Sequence, residues 1–330
     1  MNGDVARRLP PSLALMVSAL LAALGFVVAL WSGSVSLSLD QVWQALFAQG
    51  SEPSVLIVQE LRLPRAQAAL VTGAMLAVAG ALLQVLLRNP LADPYILGVS
   101  GGASLAVLIA MVLGVTALGL APVAILGAGL SVVLVFALAS GRGLHDGTRL
   151  LLTGVMVSAG WSAAISLVLA LAPDQNLRGM LFWLMGDLSH ARVVWPAWLV
   201  LALALLLIWP QARALNLLAQ GDQAAAALGV DTRRLRLGVY LLAAMLAGAA
   251  VTLAGSVGFV GLVVPHLLRF LIGNDYRWLL PGSALLGAAV LVWADTLARS
   301  AVAPSQLPVG VVMALLGVPV FLWLLRREGR

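Results

Sequence analysis

The chain has 330 residues, of which 62% are hydrophobic and only 10% are charged, and its mean hydropathy is +1.05. Soluble domains carry roughly a quarter charged residues, so this composition excludes a water-soluble globule and indicates a polytopic membrane protein. The chain contains neither cysteine nor lysine, which excludes disulfides, thiolate chemistry and a Walker A phosphate loop, because that loop requires a lysine.

Ten apolar segments predict an all-α bundle of about ten transmembrane helices, in a single domain over residues 1–330. A transmembrane helix needs about 20 apolar residues. The first segment is longer than the core of a cleavable signal and is interpreted as an uncleaved helix. The eighth is too short to span unless it is broken or buried in protein. In chain order the segments are Leu13–Trp31, Ala66–Leu87, Ile96–Leu113, Val123–Ser140, Leu150–Leu171, Val193–Ile208, Leu235–Gly255, Phe259–Ile272, Leu279–Ala301 and Val309–Leu325.

The 19 arginines predict the orientation of the bundle, because cytoplasmic segments carry the excess of basic residues. With the N-terminus inside, 14 arginines lie inside and five outside, and an even number of spans places both termini in the cytoplasm. The high isoelectric point is therefore a topological signal, and no nucleic-acid partner is expected. The inner set is Arg7, Arg8, Arg88, Arg142, Arg149, Arg213, Arg233, Arg234, Arg236, Arg269, Arg277, Arg326, Arg327 and Arg330, and the outer set is Arg62, Arg65, Arg178, Arg192 and Arg299.

Two connections between spans are predicted to contain short helices. Leu39–Phe47 on the outer side is predicted to form an interfacial helix. On the inner side, Leu215–Val230 is predicted to form two helices, with Gly221 breaking the chain, Asp222 able to cap and Gly229 ending the second. That segment is either a plain connector or a cytoplasmic knob for a partner, and its capped form favours the knob.

The charged residues near the spans leave several interpretations open. Arg62 and Arg65 are either snorkelling anchors or a docking site for acidic groups of an outer partner, and the residues alone do not separate these. Asp295 and Arg299 are four apart and can pair on one helix face. His266, beside Pro265, is interpreted as a structural histidine, and no metal-ligand spacing is found.

The remaining patterns favour a transported substrate over catalysis. Small residues at Gly73, Ala77 and Ala81 indicate close helix packing. Neither a Gly-x-Ser-x-Gly elbow nor a His-Glu-x-x-His motif occurs. An ion-coupled secondary transporter is the alternative, but it would need acidic residues or broken helices at mid-membrane, and the acids here lie at helix ends or in loops.

The chain resembles the FecCD-type permease subunits of type II ABC importers for iron–siderophore complexes, haem and cobalamin. The resemblance runs from about Leu61 to the C-terminus and rests on the order and spacing of nine motifs. They are RLPR at Arg62–Arg65, RNPLADP at Arg88–Pro94, GVSGGA at Gly98–Ala103, LLLTGV at Leu150–Val155, LRGMLFWLMGDL at Leu177–Leu188, GDQAAAALGV at Gly221–Val230, GFVGLVVPHLLR at Gly258–Arg269, ADTLAR at Ala294–Arg299 and LPVGVVMALLGVPVFLWLL at Leu307–Leu325.

The resemblance implies a homodimer of ten-helix subunits in the bacterial inner membrane, with a pathway for a metal chelate along the dimer axis. It implies two cytoplasmic ATPase subunits that bind ATP and Mg, a periplasmic substrate-binding protein, and no cofactor on this chain. It does not separate a siderophore from haem or cobalamin. Asp187 departs from the smaller residue often found there, so it is expected to alter the outer gate or selectivity.

The resemblance also implies roles for particular residues. Coupling helices at about 214–230 would contact the ATPase, arginines at the outer side would receive acidic residues of the binding protein, and apolar side chains of the fifth span and the following loop would line the pathway. The coupling residues are Gly221, Asp222, Ala225, Ala226, Leu228, Gly229 and Val230, the docking residues are Arg62, Arg65 and Arg299, and the pathway residues are Met156, Trp161, Met180 and Met185.

Overall fold

The computed structural model describes residues 9–33, 35–115, 117–139, 147–302 and 305–328. Within these ranges the chain is helical and contains no strand, which confirms the predicted all-α fold. Ser140, at the end of the fourth predicted segment, and four arginines of the predicted inner set lie outside the described residues; the arginines are Arg7, Arg8, Arg142 and Arg330.

All ten predicted apolar segments form helices. In the part of the chain that the structure describes, seven helical runs are long and apolar enough to cross a membrane, and α5, α13 and α15 are shorter apolar helices. The ten are α1 (Pro11–Trp31), α4 (Leu63–Leu86), α5 (Val99–Val112), α6 (Ala117–Ala139), α7 (Gly147–Leu171), α9 (Trp195–Ile208), α12 (Thr232–Ala254), α13 (Val260–Ile272), α14 (Tyr276–Ser300) and α15 (Val309–Glu328).

Within the described residues, five further α-helices lie in the connections: α2 (Leu39–Leu46), α3 (Glu52–Leu56), α8 (Asp174–Met185), α10 (Ala212–Gln220) and α11 (Asp222–Ala227). A π-helical turn, Ile57–Arg62, joins α3 to α4 in one helical run. The second span therefore begins well before the predicted Ala66. The prediction placed its start too late because Gln59, Glu60 and Arg62 lower the local hydropathy.

Helix α2 confirms the predicted short helix of the first connection. Ser38 and Gln41 form a capping box, in which the Gln41 amide donates to Ser38 Oγ at 3.2 Å and the Ser38 amide donates to Gln41 Oε1 at 2.9 Å. Leu39, Trp43 and Phe47 recur every four residues and are exposed. An exposed apolar stripe suits the membrane interface, and the interfacial placement stays a prediction.

Helix α4 is the centre of the bundle, with 94% of its apolar window buried against α1, α12, α13 and α14. Glycines permit this packing. A Cβ atom on Gly73 would lie 2.1 Å from the Gly287 carbonyl oxygen, and one on Gly80 would lie 1.9 Å from the Gly261 carbonyl oxygen. Backbones that approach this closely confirm the interpretation of the small residues as packing sites.

The eighth predicted segment, which is too short to span a membrane unless it is broken or buried in protein, forms helix α13. Its 13 residues span about 20 Å, which is less than the roughly 30 Å of hydrocarbon. The chain turns back into α13 at Phe259, whose φ of 69° is left-handed, and the helix packs between α4 and α14. It is a partial span buried in protein.

Candidate functional site

A buried ion cluster lies at the end of the bundle predicted to face outward. Asp295 on α14 has no exposed surface and accepts from Arg65 on α4 through Nε at 3.0 Å and Nη2 at 2.9 Å. Arg299, one turn further along α14, pairs with the other carboxylate oxygen at 3.1 Å. The predicted Asp295–Arg299 pair is therefore confirmed, and Arg65 completes a three-residue cluster.

Two arginines of the same region hold the C-terminal end of α1. Arg62 Nη1 donates to the carbonyls of Leu30 at 2.9 Å and Trp31 at 2.7 Å. Arg299 Nη2 donates to the Ala29 carbonyl at 3.1 Å. The last carbonyls of a helix lack partners within the helix and carry partial negative charge, so two guanidinium groups both satisfy and stabilise this end.

Arg62, Arg65 and Arg299 are thus all buried and bound to groups of this chain, with 4%, 7% and 5% of their surface exposed. Arg62 and Arg65 are not surface anchors in this conformation, so the snorkelling interpretation of these two arginines is wrong. The docking role of all three arginines stays a prediction. Since these three guanidinium groups lie close to one buried carboxylate, Asp295, this end of α4 and α14 carries a net positive charge.

Helix α7 is the least buried of the long spans, with 6% of its apolar window buried. Small and hydroxyl residues lie on its exposed surface, including Ala159, Gly160, Ser162 and Ser166. Ser162 and Ser166 donate back to carbonyls of the preceding turn at 3.0 Å, so their hydroxyls are satisfied within the helix. Such a surface lets another protein surface approach closely, whereas lipid-facing helices need no small residues.

The four predicted pathway residues differ in accessibility. Met156 on α7 is exposed, whereas Trp161 is half-buried and donates from Nε1 to Ser131 Oγ at 2.9 Å. Met185 is half-buried at the end of α8. Met180 has no exposed surface, so in this conformation its side chain packs within the chain and does not line a path.

The turn after α8 lies against two other helix ends. Gly186, with a φ of 80°, leads into Asp187, whose amide donates to the Ala254 carbonyl at 2.9 Å. A Cβ atom on Gly310 would lie 2.2 Å from the Met185 carbonyl oxygen, so the turn also packs on the start of α15. The Asp187 carboxylate accepts from the Ser189 amide at 2.9 Å, and its predicted effect on selectivity stays a prediction.

The predicted coupling segment forms the two short helices α10 and α11, separated at Gly221 with a φ of 125°. Asp222 was predicted to be able to cap α11, but it does not. It follows the N-cap position, and its carboxylate instead accepts from Arg236 on α12 at 3.1 Å. Gly229, with a φ of 83°, ends the segment as expected, and Leu228 projects from it with 67% of its surface exposed. The ion pair fixes α11 to a long span.

The described residues contain no group of three or more His, Cys, Asp or Glu side chains that could hold a metal ion. His266 is buried and packs edge-on against Phe321, with ring centroids 5.9 Å apart. The chemistry that the described residues offer is thus packing and charge pairing at two opposite ends of an apolar bundle. With several helices long and apolar enough to cross a membrane, this arrangement is that of a multi-pass membrane protein.

The chain belongs to the FecCD transport family, whose model matches residues 20–327. The hemin transport system permease protein HmuU of Yersinia pestis is 42% identical, over 99% of this chain and 98% of that protein. The vitamin B12 import system permease protein BtuC of Serratia proteamaculans is also 42% identical, over 93% and 92% of the two chains. A solved metal-chelate type ABC transporter in an inward-facing conformation superposes with a TM-score of 0.85 at 32% identity, covering 96% of this chain and all of that one. The chain is therefore a multi-pass membrane protein of the ABC transporter permease family.

Proposed function

We propose that this chain is the permease of an ABC importer that carries a metal chelate from the periplasm to the cytoplasm. Two copies of the chain would form the pathway, and separate ATPase subunits would supply the energy. The observation that carries the proposal is the presence of two features in a chain of the FecCD family. Span α7 is almost unburied within its own chain, and the short helices α10 and α11 are fixed to α12 by an ion pair.

The surface of α7 supports a homodimer whose interface contains the pathway. A span that buries so little within its own chain faces either lipid or protein, and exposed Gly160, Ser162 and Ser166 favour protein or a water-filled path. Met156 adds a polarisable, flexible side chain on this helix, which suits a large chelate of varied shape.

Helices α10 and α11 are proposed as the contact with the ATPase subunit. Gly221 and Gly229 bound α11, and Leu228 offers an exposed apolar side chain at its end. Because Asp222 on α11 forms an ion pair with Arg236 on α12, a movement of α11 caused by the ATPase subunit would be transmitted directly to α12. A helix held at one point on a long span can act as a rigid lever in switching access.

The outer arginines, which are buried in this conformation, are proposed to lie beneath the surface that receives a substrate-binding protein. The net positive charge of Arg62, Arg65 and Arg299 around Asp295 would attract acidic residues of that protein. Guanidinium groups already held in place lose little side-chain entropy on binding. A partner carboxylate would then compete with Asp295 and with the carbonyls at the end of α1.

The names of the relatives include hemin and vitamin B12 as cargo, so the proposed substrate class is a large metal chelate. The proposed location is the bacterial inner membrane with both termini in the cytoplasm. ATP and Mg would bind the partner ATPase, and this chain would perform no chemistry.

The absence of cysteine from the sequence permits a direct test of the pathway. We would introduce Ser162→Cys on α7 and, as a matched control on another exposed span, Leu206→Cys on α9, where 70% of Leu206 is exposed. In the complete transporter we expect a membrane-impermeant thiol reagent to label Ser162→Cys, at a rate that changes with ATP, and to leave Leu206→Cys unlabelled. Equal and ATP-independent reaction at both positions would contradict the pathway assignment.

A further inference from the structure

A cavity of about 440 Å³ lies beside the proposed coupling helices, at the end of the bundle predicted to face the cytoplasm. Its walls come from the end of α4 and the turn that follows, from α13 and from the start of α14. Its exposed rim is made by Arg88, Pro90, Ala219 and Asn274, which lie at helix ends or in the connections between helices. The cavity therefore opens away from the helical spans, on the side where α10 ends.

The lining of this cavity is basic. Arg88, Arg269 and His266 line it together with amide side chains, and none of the described lining residues is acidic. Arg269 is held in place by Gln84 and by Tyr276 Oη at 3.2 Å. Arg88, in contrast, makes no ion pair with any described residue.

Of the three carboxylates close in sequence to the rim, Asp93 accepts from the Tyr95 amide at 2.8 Å, and the other two are engaged by arginines. Asp222 follows Gly221, whose Cβ position lies 3.4 Å from Arg88 Nη1, but its carboxylate is bound by Arg236. Asp275 accepts from Arg277 at 2.7 Å and from Asn216 Nδ2 at 2.8 Å, and the Arg277 hydrogen bonds lower the pKa of Asp275 to about 2. Within the described residues, neither Asp222 nor Asp275 is free to neutralise Arg88.

The backbone at Arg88 also points to a function. Its φ of 48° is left-handed, a conformation that costs a non-glycine residue roughly 1–2 kcal/mol. With this backbone conformation the chain turns sharply after α4. The guanidinium group of Arg88 then lies next to Gly221, which separates α10 from α11. Backbone strain that persists in a folded protein tends to mark a functional position.

We propose that this cavity receives a carboxylate side chain of the ATPase subunit, with Arg88 as its guanidinium partner. The proposal rests on the proposed function, in which α10 and α11 contact that subunit. Ala219 of α10 forms part of the rim, so a protein that covers the coupling helices also covers the cavity. A guanidinium fork binds a carboxylate through two parallel hydrogen bonds, which would add direction as well as attraction to the contact.

The test measures the affinity of the full-length permease in nanodiscs for its ATPase subunit. Arg88→Gln should weaken binding about tenfold, as expected for the loss of one partly buried charge pair between proteins. Arg88→Lys, which keeps the charge but not the fork, should fall between Arg88→Gln and the wild type. Arg326→Gln, an exposed arginine on α15 outside the cavity, is the matched control and should bind like the wild type. Arg88→Glu should regain affinity with an ATPase variant in which the contacting carboxylate is replaced by arginine.

Wild-type affinity of Arg88→Gln for the ATPase would overturn the proposal. The proposal would also be overturned if Arg88→Gln lost only a preference for phosphatidylglycerol nanodiscs over phosphatidylcholine nanodiscs. The cavity would then bind a lipid headgroup. A wild-type permease that does not bind the ATPase at all would instead contradict the proposed function itself. The melting temperature of Arg88→Gln, expected to match the wild type, separates a lost contact from a lost fold.

Discussion

Replacing Asp295 by asparagine tests the buried ion cluster most directly. Asp295→Asn keeps the size of the side chain and removes the one carboxylate that both Arg65 and Arg299 share. Their side chains are 8% and 6% exposed, so neither guanidinium group can recover its hydration without movement. Removing one partner of a buried ion pair costs about 3–5 kcal/mol, because an uncompensated charge stays behind.

The expected change in melting temperature follows from the size of the chain. An unfolding entropy of about 2.1 cal/mol/K per residue gives roughly 0.7 kcal/mol/K for a chain of this length. A loss of 3–5 kcal/mol should therefore lower the melting temperature by about 4–7 °C. Thermal unfolding of the purified permease in detergent, followed by intrinsic tryptophan fluorescence, would measure this shift.

Two further variants make the result specific to the cluster. Asp174→Asn removes an exposed carboxylate at the start of α8 and should change the melting temperature by less than about 1 °C. In the double variant Asp295→Asn with Arg65→Gln, one stranded charge is removed, so the combined loss should be smaller than the sum of the two single losses. An Asp295→Asn protein that melts like the wild type would refute the role given to the cluster.

Three other predictions follow from individual contacts. Gly80→Ala should destabilise the permease by about 1–3 kcal/mol, because its Cβ would meet the Gly261 carbonyl at 1.9 Å, whereas Gly129→Ala, with no atom within 4 Å of its Cβ, should be neutral in the same melt. Burial raises the pKa of Asp93 from 3.8 to about 6, so its stabilising contribution is full below pH 3.8 and is lost as the pH rises through 6. Asp93→Asn should therefore gain stability relative to the wild type between pH 4 and pH 7, and a pH-independent difference in melting temperature would count against this. Asp222→Asn frees α11 from α12 and should lower substrate uptake per ATP hydrolysed, and an unchanged ratio would show that the ion pair is not needed for coupling.

The helical fold could be predicted because the ten apolar segments carry their own signal. The hydropathy of the sequence predicts that each of these ten helices exists. It predicts the ends of a helix less well where polar residues lie near those ends. The π-helical run before α4 is an example, since Gln59, Glu60 and Arg62 resemble a loop by composition. Gln59 Nε2 bonds the Ala45 carbonyl at 2.9 Å, a tertiary contact that local sequence does not reveal.

One of the buried ion pairs could be predicted from local sequence, whereas the others could not. Asp295 and Arg299 are one helical turn apart, so their pairing could be inferred from spacing. Arg65 joins them from 230 residues away, and Arg236 reaches Asp222 across a turn between helices. Nothing in local sequence predicted either contact, which is why the burial of the outer arginines and the role of Asp222 emerged only from the structure.

The measurement that tests the central claim most directly is uptake into proteoliposomes that contain this permease and its ATPase subunit. A substrate-binding protein loaded in turn with cobalamin, hemin or a ferric siderophore would be added outside, with ATP enclosed. We expect one of these chelates to accumulate, with uptake that stops when ATP is omitted or when the ATPase subunit is catalytically inactive. Uptake that persists without the ATPase and follows an ion gradient would contradict the importer and establish a secondary transporter in its place.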